Sequence, residues 1–257
     1  MSISVRRPLT GKRVAVTGGT AGLGLALVRE LTARGANVAF IARNPEGVIR
    51  VSQEFVTAHG VVGDLAQKAE IHPLALQVLG ALCGLDVLIN NASDLGPIPL
   101  RLLGDTQCED FERALATNVL GPFRLTKALL GALAAAAREH GRAVVLNVSS
   151  DAAVTAYPRW GAYGASKAAL RHMTSIWREE QGGSGVQFIS ADPGDMDTAL
   201  HAAAVPDADI TTLKRPEVAA RELADIIEAA LPIRRRVKDR VTRLYASSSQ
   251  LRAGTPK

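Results

Sequence analysis

The chain has 257 residues and a formal charge of +5, from 30 Lys and Arg against 25 Asp and Glu. Hydrophobic residues make up 47% and charged residues 21%, a composition that excludes disordered, collagen-like and disulfide-stapled chains. A chain of this length buries roughly 70–75% of its unfolded surface, enough for one large core.

Short apolar runs alternate with longer helical patterns. Strands are expected at 13–17, 37–42, 61–64, 87–90, 142–148 and 186–191. Crossover helices are expected at 23–34, 109–140 and 160–181, and a short one lies somewhere within 44–60. The runs VAFIA and AVVLNV are almost wholly apolar, as strands buried on both faces must be. This alternation predicts an α/β chain: one Rossmann-type, doubly wound parallel sheet of about seven strands with helices on both faces. The seventh strand is placed at 241–246. No linker or repeat divides 1–257, which reads as a single domain, and the Gly182 to Gly185 cluster reads as a helix-to-strand turn.

The charge is uneven. Residues 234–257, read as a basic C-terminal strand or tail, carry eight basic residues and one acid, leaving 22 basic against 24 acidic in the rest. With one aromatic, Tyr245, and no recognition fold, this tail reads as a solvated terminus, not a nucleic-acid arm. The longest uncharged helical run, 128–137, falls short of the ~20 residues a membrane span needs. No apolar stretch follows Arg6 and Arg7 as a secretory signal would require. A cytoplasmic protein without membrane or nucleic-acid partners is expected. The two cysteines, Cys83 and Cys108, are expected to be a buried, reduced pair, and nothing has metal-ligand spacing.

The sequence VAVTGGTAGLGLALVREL runs from strand to helix. Gly18, Gly22 and Gly24 follow a TGxxxGxG spacing, with Thr20 and Leu23 between them. Glycine permits a tight turn and close approach of backbone to a pyrophosphate, which the following helix N-terminus then binds. Tyr163 and Lys167 are four apart and share one helix face. An ammonium there favours the phenolate, lowering the tyrosine pKa from ~10 and fitting Tyr163 for acid–base work near neutrality. Ser150 ends a buried strand, where its hydroxyl can stabilise charge developing on a carbonyl oxygen. Ser149 beside it is the alternative, and Asn118 is either functional or a kink in its helix. The strand at 37–42 ends with Ala42 and then Arg43, with no acidic partner for a ribose 2′-hydroxyl. Arginine is a planar partner for a 2′-phosphate, which favours NADP over NAD.

Together the stretches TGGTAGLG, LINNAS, TNVLGPF, VLNVSS, YGASK and DPGDMDT resemble the short-chain dehydrogenase/reductase family, from Thr17 to Thr198. The thirteen-residue gap from Ser150 to Tyr163 is that family's usual one. The resemblance implies an NADP(H)-dependent oxidoreductase interconverting a ketone or aldehyde and an alcohol, the chain being a homodimer or homotetramer. It implies that Ser150, Tyr163 and Lys167 are catalytic and that Asn118 holds a water in a proton relay. Lys167 would also bind the nicotinamide ribose. Asp64, with Leu65, resembles the position that contacts adenine. Asn91 and Ala92 would line the cofactor cleft, and Pro193, Gly194, Met196 and Thr198 its nicotinamide end. A substrate lid would follow at about 195–215, with Asp151, Tyr157, Trp160, Leu200 and His201 as further wall candidates. Ser93 stands where the family usually has glycine, and crowding of the nicotinamide end is one expected consequence. Ala21, where the sugar-epimerase branch needs glycine, disfavours that chemistry. The competing reading is a non-catalytic NADP-binding sensor or scaffold, for which a full Ser–Tyr–Lys set has no use.

Overall fold

The computed structural model describes residues 9–231. Within them the strands are β1 (Arg13–Thr17), β2 (Asn37–Ala42), β3 (Ala58–Val62), β4 (Val87–Asn90), β5 (Ala143–Val148) and β6 (Val186–Ala191). The helices are α1 (Gly22–Ala33), α2 (Pro45–Glu54), α3 (Ile71–Leu82), α4 (Cys108–Leu115), α5 (Gly121–His140), α6 (Gly161–Glu180), α7 (Ala199–Ala204) and α8 (Pro216–Ala230). All strand pairs are parallel, in the order β3-β2-β1-β4-β5-β6.

Period-two alternation divides the sheet between two layers. Val14, Val16, Val38, Phe40, Ile89 and Leu146 pack with α1 and α8, while Ala15, Ala39, Ile41, Leu88 and Val145 pack with α3 and α5. Each covering helix supplies a stripe at helical spacing, such as Leu125, Leu129 and Leu133 on α5. The winding direction reverses between β1 and β4, so their carboxyl ends splay apart and leave a crevice there.

Several expectations change. The sheet of the described residues has six strands, not seven. The expected strand at 241–246 and the basic tail lie outside those residues. The third strand begins at Ala58 instead of Val61 and stops at Val62, because it is an edge strand whose register follows β2, from Val38↔Ala58 to Ala42↔Val62. His59 and Gly60 hide that start from an apolar-run reading. The helix expected at 109–140 is interrupted by a π-helical turn at Ala116–Leu120, where Pro122, which has no N–H to donate, opens α5. Its whole stretch, Cys108–His140, is long and apolar enough by length and composition to cross a membrane, with a best-window mean hydropathy of 1.3. The apolar face of α5 is spent on the sheet instead. Cys83 and Cys108 are exposed free thiols, not a buried pair. Cys83 ends α3 in the left-handed region, and Cys108 opens α4.

Candidate active site

A cleft of about 670 Å³ lies at the carboxyl ends of the strands, over the reversal between β1 and β4. One end is the glycine turn. Gly18 and Gly22 have positive φ, and a Cβ on Gly24 would fall inside contact distance of the Gly18 carbonyl oxygen. Glycine is therefore required for α1 to sit this close to β1. No side chain caps the α1 N-terminus, and its first turn has no acidic residue. Its amides and positive dipole end are thus left for an anionic ligand. Thr17, which the motif reading overlooked as a fastener, closes the turn's floor. Its Oγ1 accepts the N–H groups of Asn91 (2.9 Å) and Ala92 (3.0 Å), and the Asn91 amide donates to the Thr17 carbonyl at 2.8 Å. The expected Gly18, Thr20, Gly22, Leu23, Gly24, Asn91 and Ala92 all line the cleft.

At the β2 side the wall is Ala42, Arg43 and Asn44. Asn44 caps α2 by accepting the Glu46 N–H at 3.1 Å. Arg43 is exposed, and among the described residues no side chain pairs with it. Asp64 and Leu65 also line the cleft. The Asp64 carboxylate accepts the Ala66 N–H at 2.9 Å, which fixes the loop after β3.

Tyr163, Lys167 and Ser150 meet at the other end. Tyr163, Ser166, Lys167 and Leu170 share the buried face of α6. Lys167 is fully enclosed, donates to the Val148 carbonyl at 2.9 Å, and lies 5.5 Å from the Tyr163 ring centroid. Burial pushes its pKa down to about 8, against a smaller opposing pull from Asp192. Burial also pushes Tyr163 up to about 12, against hydrogen bonds from Ser150 and Ser93 that favour the phenolate. The expected lowering of the tyrosine by its lysine neighbour is thus reversed. Both groups sit in a dehydrated site, where loss of water is the largest influence on each. At neutral pH the phenol is protonated and placed to give up a proton.

Ser150, not Ser149, joins Tyr163. Its hydroxyl donates to Asp151 Oδ1 at 3.0 Å and accepts the Ala152 N–H at 3.2 Å. Asn118 does not line the cleft. Its amide is consumed by structure: it donates to the Asp94 carbonyl (2.7 Å) and Ser166 Oγ (2.8 Å), and it accepts the Asp94 N–H (2.8 Å). Asn118 sits in the π-helical turn and ties it to α6 through Ser166. Ser93 lines the cleft. Its hydroxyl fits between Asn118 Oδ1, at 3.3 Å, and Tyr163.

Pro193, Gly194, Met196 and Thr198 complete the wall beyond β6, with Leu200 and His201 from the lid segment. That segment carries α7, and its ends are pinned together: Asp197 N–H donates to the Lys214 carbonyl at 3.0 Å and Lys214 N–H to the Asp195 carbonyl at 2.9 Å. Asp151, Tyr157 and Trp160 face the same chamber, as does Asp192, which the motif reading passed over as part of DPG.

The family model described as short chain dehydrogenase matches residues 12–209. An uncharacterized oxidoreductase of Mycobacterium tuberculosis is 34% identical over 187 residues, 70% of this chain and 53% of that protein. The chain thus spans about half the length of that relative. The L-fucose dehydrogenase of Mus musculus is 30% identical over 74% of this chain and 67% of its own length. Among solved structures, a 3-ketoacyl-(acyl-carrier-protein) reductase of Brucella melitensis complexed with NADH shares the fold, with a TM-score of 0.79 and 23% identity over 85% of this chain and 91% of that one. The parallel sheet, the glycine turn and the matched model lead to one assignment: the chain belongs to the short-chain dehydrogenase/reductase family.

Proposed function

We propose that the chain is an NADP(H)-dependent oxidoreductase that interconverts a ketone or aldehyde and an alcohol. The observation that carries this reading is the meeting, in one cleft, of an uncapped glycine turn with Ser150, Tyr163 and Lys167. The residues fit a dinucleotide along its length. The glycine turn and the α1 amides would receive the pyrophosphate, Arg43 the adenosine 2′-phosphate, and Asp64 with Leu65 would flank the adenine. Asn91, Ala92, Pro193, Gly194, Met196 and Thr198 would enclose the nicotinamide end. When bound, the cofactor supplies hydride to the carbonyl carbon or accepts it from the alcohol carbon.

The chain's own groups handle the proton. In reduction, the Tyr163 phenol donates to the carbonyl oxygen, a transfer that a protonated phenol at neutral pH is ready to make. Ser150 stabilises the charge that grows on that oxygen. Lys167 lies against the phenol ring and, when protonated, stabilises the phenolate left behind. Asn118 keeps α6 in place through Ser166, and its π-helical turn is where a relay water would be held. The test is NADPH consumption across a panel of ketones and aldehydes. Turnover that depends on Tyr163 supports the reading, and silence across the panel with intact NADPH binding refutes it.

Arg43 sets the cofactor preference in this reading. NADPH binds more tightly than NADH by about 10-fold, the low end for a hydrogen bond to a charged group because Arg43 is exposed. Arg43→Ala erases that preference by weakening NADPH alone. Calorimetric titration of both cofactors checks it, and equal affinities in the unaltered protein remove NADP from the proposal.

A further inference from the structure

The wall of the cleft beside Ser150 holds a carboxylate. Asp151 Oδ1 accepts the hydroxyl proton of Ser150 at 3.0 Å and the Ala152 N–H at 2.7 Å. Its Oδ2 accepts the Tyr157 hydroxyl at 2.7 Å. The Tyr157 hydrogen bond holds the Asp151 carboxyl below the usual carboxylate range, with Ser150 and the Ala152 amide adding to it against partial burial. Asp151 is therefore ionised at neutral pH. A second carboxylate, Asp192, lines the same chamber, and both make the Tyr163 phenolate harder to form. Among the described residues no Lys, Arg or His forms an ion pair with Asp151 or Asp192, though Asp192 acts on the Lys167 ammonium from a distance. Lys167 is committed to the Val148 carbonyl. The lid adds His201. Its Nδ1 is buried without a partner among the described residues, while its Nε2 lies 3.9 Å from Asp195.

For an uncharged carbonyl this arrangement works against the reaction. A serine hydroxyl has one proton, and Asp151 competes for it with Tyr163 and with the substrate oxygen. The negative charge also opposes the charge that must grow on the substrate oxygen. A substrate carrying its own cation removes both difficulties. An ammonium group takes the place of the Ser150 hydroxyl on Asp151 Oδ1, neutralises the carboxylate and frees Ser150 to turn toward the carbonyl. Because Asp151 Oδ1 lies 3.0 Å from Ser150 Oγ, an amine held by the one and a carbonyl held by the other are close neighbours in the substrate. Leu95, Trp160 and Leu200 give the rest of such a molecule an apolar wall.

We propose that the substrate is an amino ketone or the matching amino alcohol, with a protonated amine on the carbon beside the carbonyl or one further, held by Asp151 and Asp192. This rests on the oxidoreductase reading above. In reduction the carbonyl π bond breaks, its carbon takes hydride from NADPH, and its oxygen takes the Tyr163 proton. The phenolate is reprotonated from solvent, and the amine is unchanged.

The test pairs α-aminoacetophenone with α-hydroxyacetophenone, which differ only in ammonium against hydroxyl. Binding to the NADP-loaded protein is read by calorimetry, and kcat/KM by NADPH consumption. The ammonium compound is expected to be favoured about 10- to 100-fold in both, the range for a hydrogen bond to a charged group. Asp151→Asn should remove most of that preference by weakening the ammonium compound, and because Asp151 touches Ser150 in the substrate chamber the readout is the ratio of the two compounds, not the absolute rate on either. Should Asp151→Asn melt below the assay temperature, Asp192→Asn should lower the preference in part while keeping the Ser150 contacts. Equal binding of the two compounds, or no measurable binding of either, overturns the proposal. Ammonium-selective binding without turnover leaves it standing and instead sinks the oxidoreductase reading.

Discussion

Tyr163→Phe is expected to lower kcat on any accepted carbonyl by about 100- to 10,000-fold, the contribution of a positioned proton donor. The substitution removes one oxygen and keeps the ring. The packing of that ring is substantial: it is buried, meets Trp160 edge-on at a centroid distance of 5.7 Å, and has the Lys167 ammonium 5.5 Å from its centre. Cofactor affinity should therefore stay within about twofold, since the glycine turn and Arg43 lie at the far end of the cleft. The raised tyrosine pKa adds a pH signature. A phenol pushed up to about 12 is protonated throughout the physiological range. Reduction by the unaltered protein should then weaken as Lys167 loses its proton near pH 8 and fall again at strongly alkaline pH as the phenol ionises, and the residual rate of the variant should lack the second limb. A variant that keeps more than about a tenth of the original rate would show that the proton comes from elsewhere.

That raised pKa also marks where the sequence stops being informative. The four-residue spacing of Tyr163 and Lys167 is sufficient to place them on one face of α6, and it does. It says nothing of how much water reaches that face. Charge proximity is written in the sequence, whereas dehydration is a property of the closed structure. Here dehydration decides the direction of both shifts. The glycine turn was legible because its cause is local: positive φ at Gly18 and Gly22 and the tight approach at Gly24 are demanded within eight residues. The start of β3 was not, because it is fixed by pairing with β2 across an intervening helix. Asn118 shows the same limit for a polar side chain. Its partners Asp94 and Ser166 are 24 and 48 residues away, so no spacing rule distinguishes a relay residue from a fastener. Asp151 was visible as a wall residue, but its grip on Ser150 and Tyr157 depends on the single 3₁₀ turn at Asp151–Ala153.

Burying a lysine has a cost that can be measured by itself. Lys167 has a pKa near 8 in the fold, against 10.5 as its ordinary value. Below pH 8 both folded and unfolded chains carry the ammonium, and the full penalty for burying it applies. Between pH 8 and 10.5 the unfolded chain holds the proton and the folded one has released it. The unfolded state then binds more protons, so stability rises with pH across that window. At 1.36 kcal/mol per pKa unit, the gain from this one group between pH 7 and 10 is about 2 to 3 kcal/mol. Other groups titrate over the same range, so the total slope is not diagnostic. The difference from Lys167→Met is. Methionine fills the channel with an apolar side chain of similar length and gives up the hydrogen bond to the Val148 carbonyl, a loss of about 1 kcal/mol that does not vary with pH. Lys167→Met is therefore expected to be the more stable protein at pH 7. Its advantage should shrink steadily and vanish or reverse by pH 10, while its catalytic activity is lost at every pH. Urea unfolding of both proteins at intervals from pH 7 to 10 measures the difference directly. Parallel stability curves would mean that Lys167 keeps its ordinary pKa in the fold, and that water reaches the ammonium.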